Sequence, residues 1–128
     1  MAFRWKDDVI YDELWDVIPA TAVTVGQAAV IQDVFGFYIK TREQVGEEIC
    51  FIYRCRQVEA DKIQGTGEAI RAGDRVYAVV AQNFFVTANP TGVAGTDYYF
   101  CGWAKKDAAA NAEKVLINFD GTRYDENI

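Results

Sequence analysis

Glu48 to Arg54, EICFIYR, sets Ile49, Phe51 and Tyr53 on one side of a period-two run and Cys50 and Ile52 on the other. Both sides are apolar, which is the pattern of a strand covered on both faces. The same period returns along the chain. Ala29 to Val34 is a candidate strand, broken at Gly36 and resumed at Phe37-Tyr38-Ile39. Gln57 to Ile63 is a weaker run in which charges alternate. Arg75 to Val80, Phe84 to Thr87, Tyr98 to Ala104 and Lys114 to Asp120 complete the set. Turn signals separate them: Thr41 to Glu47, Ala81-Gln82-Asn83, and Asn89-Pro90-Thr91-Gly92. Several short strands divided by turns predict an all-β fold, a small β-barrel or β-sandwich.

Helical signals are short. Gly67 to Ala72 has room for one turn. Asp107 to Ala112 has a capping Asp and an alanine run, but it is too short to stand alone. In Asp7 to Val17, the residues Val9, Ile10, Leu14 and Val17 are spaced as on a helix, and Pro19 would stop it; the same stretch also reads as an extended arm. The expected organisation is an N-terminal arm or short helix at 1–20, a β-domain at 21–121 and a polar tail at 122–128.

Composition narrows the function. Apolar residues make up 51% of the 128, and 14% are aromatic, enough to build the core of a single domain. The net charge of −6 repels phosphate backbones and argues against nucleic acid as a partner. The charged N-terminal stretch is unlike a signal peptide, and no window has the length and apolarity of a membrane helix, so no membrane partner is expected. Histidine and serine are both absent, which removes the commonest general base and the serine nucleophiles. Cys50, Cys55 and Cys101 are odd in number and lack CxxC spacing, so they signal neither a disulfide framework nor a zinc site. On one straight strand Cys50 and Cys55 would face opposite sides.

Three chemical readings compete for Gly65 to Val80. Gly65-Thr66-Gly67-Glu68-Ala69-Ile70 opens like a dinucleotide loop, but Ile70 stands where the third glycine belongs. Glu68 would set a negative charge beside the phosphates. Glu59-Ala60-Asp61-Lys62-Ile63 resembles the hairpin that carries lipoyl-lysine, followed by Gly73-Asp74-Arg75-Val76, though the gap between them is short for that fold. The third reading is scaffold: Ile70 and Val76 pack inward, Gly73 and Asp74 reverse the chain, and Tyr77 adds cross-strand bulk.

From Ala22 to Gly121 the chain resembles a family of phage capsid decoration, or cement, proteins once labelled recombinase-like. Thr21-Ala22-Val23-Thr24-Val25-Gly26, Val30 to Val34 with Gly36-Phe37, Gln44 to Ile49 and Gln57 to Lys62 follow its order. The most specific element, A-I-x-x-G-D-x-V-Y, is intact as Ala69 to Tyr77. Gly102-Trp103-Ala104, Asp107 to Asn111 and Val115 to Gly121 close the succession. The resemblance implies a structural virion protein with no catalysis and no cofactor. It would be made in the host cytoplasm and would decorate the outer capsid surface. Its partners would be the major capsid protein and other copies of itself, as a homotrimer. A lipoyl- or biotinyl-like carrier or adaptor, or another head-tail component, is the alternative. The segment before the resemblance holds Phe3, Trp5, Tyr11 and Trp15, aromatics of the type enriched at interface hot spots. They read either as docking residues or as a plug for one end of the barrel.

Overall fold

The computed structural model describes residues 3–5, 11–17, 19, 21–31, 34–38, 49–90 and 97–121, with residues 4–5 and 11–17 described as backbone. In chain order the strands are β1 (Phe3–Trp5), β2 (Tyr11–Val17), β3 (Ala28–Ile31), β4 (Val34–Tyr38), β5 (Ile49–Asp61), β6 (Arg75–Val79), β7 (Phe85–Thr87), β8 (Tyr98–Ala104) and β9 (Lys114–Asp120). They form one antiparallel sheet in the order β3-β4-β5-β9-β8-β6-β7, with β1 and β2 added to β5. The sheet curls into a half-barrel, so the all-β class read from the sequence holds. The expected turn at Thr41–Glu47, Ile39 at its strand end, the Thr91-Gly92 half of the later turn and the 122–128 tail lie outside the described residues.

β5 is the spine. The two runs read separately at Glu48–Arg54 and Gln57–Ile63 are one 13-residue strand. The polar stretch between them is a bulge, since Cys55 pairs with Phe119 and Val58 with Ile117, which leaves one extra residue on β5. One edge of β5 carries β9 and then β4. The other carries the N-terminal ribbon, from Phe3 opposite Ala60 to Val17 opposite Ile49. Tyr11–Val17 is therefore a strand and not a helix. Its helical spacing is outweighed by the ladder that β5 offers along its whole length. Cys50 and Cys55 also pack against the same core despite their odd separation, because the strand is not straight: β2 shifts register opposite Arg54.

Gly36 does not break a strand; it lies inside β4, and the chain reverses between the paired Ile31 and Val34. A Cβ on Gly36 would overlap the Ile52 carbonyl oxygen and the Phe51 ring. The glycine is there for close approach between strands, which from sequence alone looks like a turn signal. Neither expected helical turn forms. Ile70 and Ala108 form an antiparallel bridge, and the Ala108 and Ala110 carbonyls accept from the Ile70 and Gly65 amides, which leaves the alanine run a single bend closed by the Ala112 amide on the Ala109 carbonyl. The short helix instead falls at Val80–Gln82, one turn of 3₁₀ where a hairpin turn was expected.

Period-two alternation divides the interior in two. Phe35 and Phe37 of β4 and Ile52 of β5 face the main core, whereas Tyr38, Ile49 and Phe51 face a smaller cluster with Val23. At the centre of the main core is Phe3, fully buried, with ring centroids 5.5 Å from Phe35, 5.7 Å from Phe37 and 5.4 Å from Phe119.

Candidate interaction surface

Of the four aromatics singled out near the N-terminus, Phe3 belongs to the core and is unavailable for docking. Trp5, Tyr11 and Trp15 occupy register positions opposite Val58, Cys55 and Phe51 on β5. The structure thus sets these three along one ribbon, with the fourth as its anchor.

Gly73 and Asp74 form the chain reversal that the scaffold reading required. The Asp74 amide donates to the Arg71 carbonyl at 3.0 Å, and the Arg71 amide donates back to Asp74 Oδ2 at 2.9 Å. Gly73 has φ +92°, as the third residue of a type II turn requires. Ile70 and Val76 are buried on either side. The turn is tied to the far end of the chain. The Gly73 amide donates to the Ala104 carbonyl, and the Ala104 amide donates to the Asp74 carbonyl, each at 2.8 Å. The Ala72 amide donates to Asp107 Oδ1 at 2.8 Å. Gly65 to Val80 is built as scaffold in the described residues.

Lys62 extends β5 by one residue and bridges Val86 in parallel. It is 1% exposed, and its Nζ donates to the carbonyls of Ile63 at 2.8 Å and Ala110 at 3.0 Å. Burial lowers its pKa, and the Glu68 carboxylate opposes that shift. Glu68 in turn accepts a 2.6 Å hydrogen bond from the buried Thr87 hydroxyl. A carrier lysine must sit on an exposed tip, whereas Lys62 ties the end of β5 to the connection between β8 and β9. Two of the three thiols are likewise interior: Cys55 and Cys101 are buried and Cys50 is half-buried, and burial raises the pKa of Cys101 far above the usual thiol range.

A concave feature of the surface lies at the seam of the half-barrel. A groove of about 530 Å³ runs between Thr24, Gln27 and Ala28 on one wall and Val80, Asn83, Phe84 and Phe85 on the other. The second wall is strained. Asn83 and Phe84 have φ +56° and +64° in succession, and the left-handed region costs a residue like Phe roughly 1–2 kcal/mol. A 2.9 Å hydrogen bond from the Phe84 amide to the Val79 carbonyl and stacking of its ring on Phe35 hold it there. The next residue, Phe85, stands at the groove 36% exposed, and Val80 is 38% exposed. None of the seven described lining side chains ionises. Sequence reasoning missed this groove. The available signal was the Phe84-Phe85 doublet, since neighbouring residues entering a strand cannot both face the core.

The chain matches no protein-family model, no curated protein and no solved structure.

Proposed function

We propose that this chain is a structural virion protein that decorates and stabilises the outer surface of a phage capsid. One observation carries the reading. The most specific motif of the resemblance, Ala69 to Tyr77, and the later pieces Gly102-Trp103-Ala104 and Asp107 to Asn111 are hydrogen-bonded to one another through Gly73, Asp74 and Ala72. A motif succession that follows a family in order, and whose separate pieces interlock in space, is supported at two levels at once. The placement of Lys62, Cys55 and Cys101 in the interior suits a domain whose reactive groups serve packing. A cement protein needs a rigid body and a contact surface repeated in many copies, so modest affinity per contact suffices. In this reading Trp5, Tyr11 and Trp15 contribute to contacts with the capsid or with other copies in a trimer.

The test is cryo-electron microscopy and protein mass spectrometry of purified particles of the phage that encodes the chain. Density for this β-domain on the outer face of the head, at regular symmetry positions, is the expected result. A chain absent from the particles, or confined to the neck or tail, overturns the reading. Trp5→Ala and Trp15→Ala proteins added back to undecorated heads should bind about 1–3 kcal/mol more weakly if those side chains are hot spots.

A further inference from the structure

Among the described residues, the strand at one end of the sheet has an unpaired side that borders the groove. β3 is the first strand of the sheet path, and among the described residues no strand pairs with it opposite β4. Its hydrogen-bonding parity is fixed at one end. The Tyr38 amide donates to the Gln27 carbonyl at 3.1 Å, and the Gly26 amide donates to the Tyr38 carbonyl at 2.7 Å. Backbone direction alternates along a strand, so Ala29 and Ile31 turn their groups toward β4 as the Gln27 carbonyl does, and Ala28 and Val30 turn theirs away. The Phe35 amide obeys the same parity: opposite Val30, it points away from β3 and donates to the Gly121 carbonyl at 3.0 Å. Ala28 therefore presents an N–H and a C=O at the groove wall it lines, and Val30 presents a second pair one step on. Val30 is itself 37% exposed.

We propose that the outer edge of β3 is a strand acceptor: it takes an extended, uncharged segment of a different protein. That segment would pair with Ala28 and Val30, with its apolar side chains seated against Val80, Phe84 and Phe85. An exposed edge gives main-chain hydrogen bonds to any extended peptide, and the pocket beside it selects side chains. Among the described residues the lining carries no ionisable group, so a charge on the inserted side chains would find no partner there and be buried at considerable cost. Edge-to-edge pairing of two copies would set two chains of net charge −6 side by side, which disfavours a second copy at this edge and leaves a different protein as the occupant. In the decoration reading, on which only the identity of the donor rests, the donor is an extended segment of the shell subunit.

The experiment uses the full chain and a synthetic probe: an acetylated, amidated peptide of alternating threonine and valine with a lysine at each end. Titration is followed by amide chemical shifts and by hydrogen exchange. The expected result is saturable shifts centred on Ala28 and Val30, with exchange at both amides slowed at least tenfold. Val30→Pro removes one outward donor while leaving the β3–β4 ladder intact, and proline is tolerated on edge strands. It should weaken probe binding at least tenfold at unchanged thermal stability. Val30→Lys, which guards an edge by charge, should do the same and serves if the proline variant is unstable. Shifts elsewhere only, or equal binding by both variants, overturn the proposal. So does concentration-dependent self-association of the wild type that Val30→Lys abolishes, because the occupant would then be a second copy. Adding the same variants to undecorated heads separates the two readings. Full decoration by Val30→Lys removes β3 as the contact while decoration stands. Failure of the wild type to decorate removes the capsid donor and leaves the peptide result to decide the edge.

Discussion

Gly36 and Gly73 show two separate reasons for a glycine, and they separate in experiment. At Gly73 a Cβ would meet nothing within 4 Å, so only the positive φ resists substitution. Gly73→Ala should cost about 1 kcal/mol and Gly73→Val somewhat more. At Gly36 the obstacle is the Ile52 backbone and the Phe51 ring, so Gly36→Ala should cost more than Gly73→Ala, on the order of 1–3 kcal/mol or above. Denaturant midpoints of the variants check the order. Lys62 provides a test by pH. An unfolded lysine titrates near 10.5, and burial lowers that value in the folded chain. Between the two values the unfolded chain holds more protons, so this group makes stability rise with pH across the window below 10.5. Lys62→Met should abolish that rise. It should also lower stability near neutral pH by about 1–3 kcal/mol, because the Ile63 and Ala110 carbonyls lose their donor. Thermal melts of both proteins from neutral to alkaline pH give the two readouts together.

At the scale of elements, the N-terminal ribbon belongs to the domain's architecture. β1 places Phe3 among Phe35, Phe37 and Phe119, and β2 covers the outer edge of β5 from Cys55 to Ile49. A truncation lacking residues 1–17 should therefore lose cooperative unfolding or be strongly destabilised, in contrast to the behaviour of a dispensable arm. Phe3→Ala alone should cost about 3–5 kcal/mol. Circular dichroism and denaturant titration distinguish the cases, and a truncation with wild-type stability would return the segment to the status of an arm. The β6–β7 hairpin behaves differently. Its left-handed Asn83 and Phe84 re-aim Phe85 toward the groove, so strain within one element shapes a surface between two.

For the whole molecule, the order of the sheet predicts where stability is greatest. β5 has strands on both edges along its length, and its apolar residues face two separate clusters. Native-state hydrogen exchange should find the slowest amides on β5 and β9, opening only with global unfolding, and the fastest strand amides on the open side of β3. Protection of Ala28 and Val30 equal to that of Val58 and Ala60, in the protein alone, would mean that this edge is already covered. The lack of charge among the described residues that line the groove, in a chain of net charge −6, marks it as a place where water can be displaced without stranding an ion.

Local pattern alone reaches the all-β class and most of its strands. Tyr98–Ala104 and Lys114–Asp120 fall where their period-two pattern puts them, and the Gly73-Asp74 reversal is where local turn chemistry requires it. These features depend on residues near one another in the chain, so a local reading can reach them. Tertiary structure decided the rest. It joined two runs into β5 through a bulge whose partner is more than fifty residues away, made Gly36 a point of close approach, and turned Tyr11–Val17 into a strand. It also left one side of β3 without a strand, among the described residues, at a groove walled by residues about fifty positions distant. Each of these depends on what stands opposite in space. A period of two reports that a strand has two faces, but it carries no information about which edge will find a neighbour.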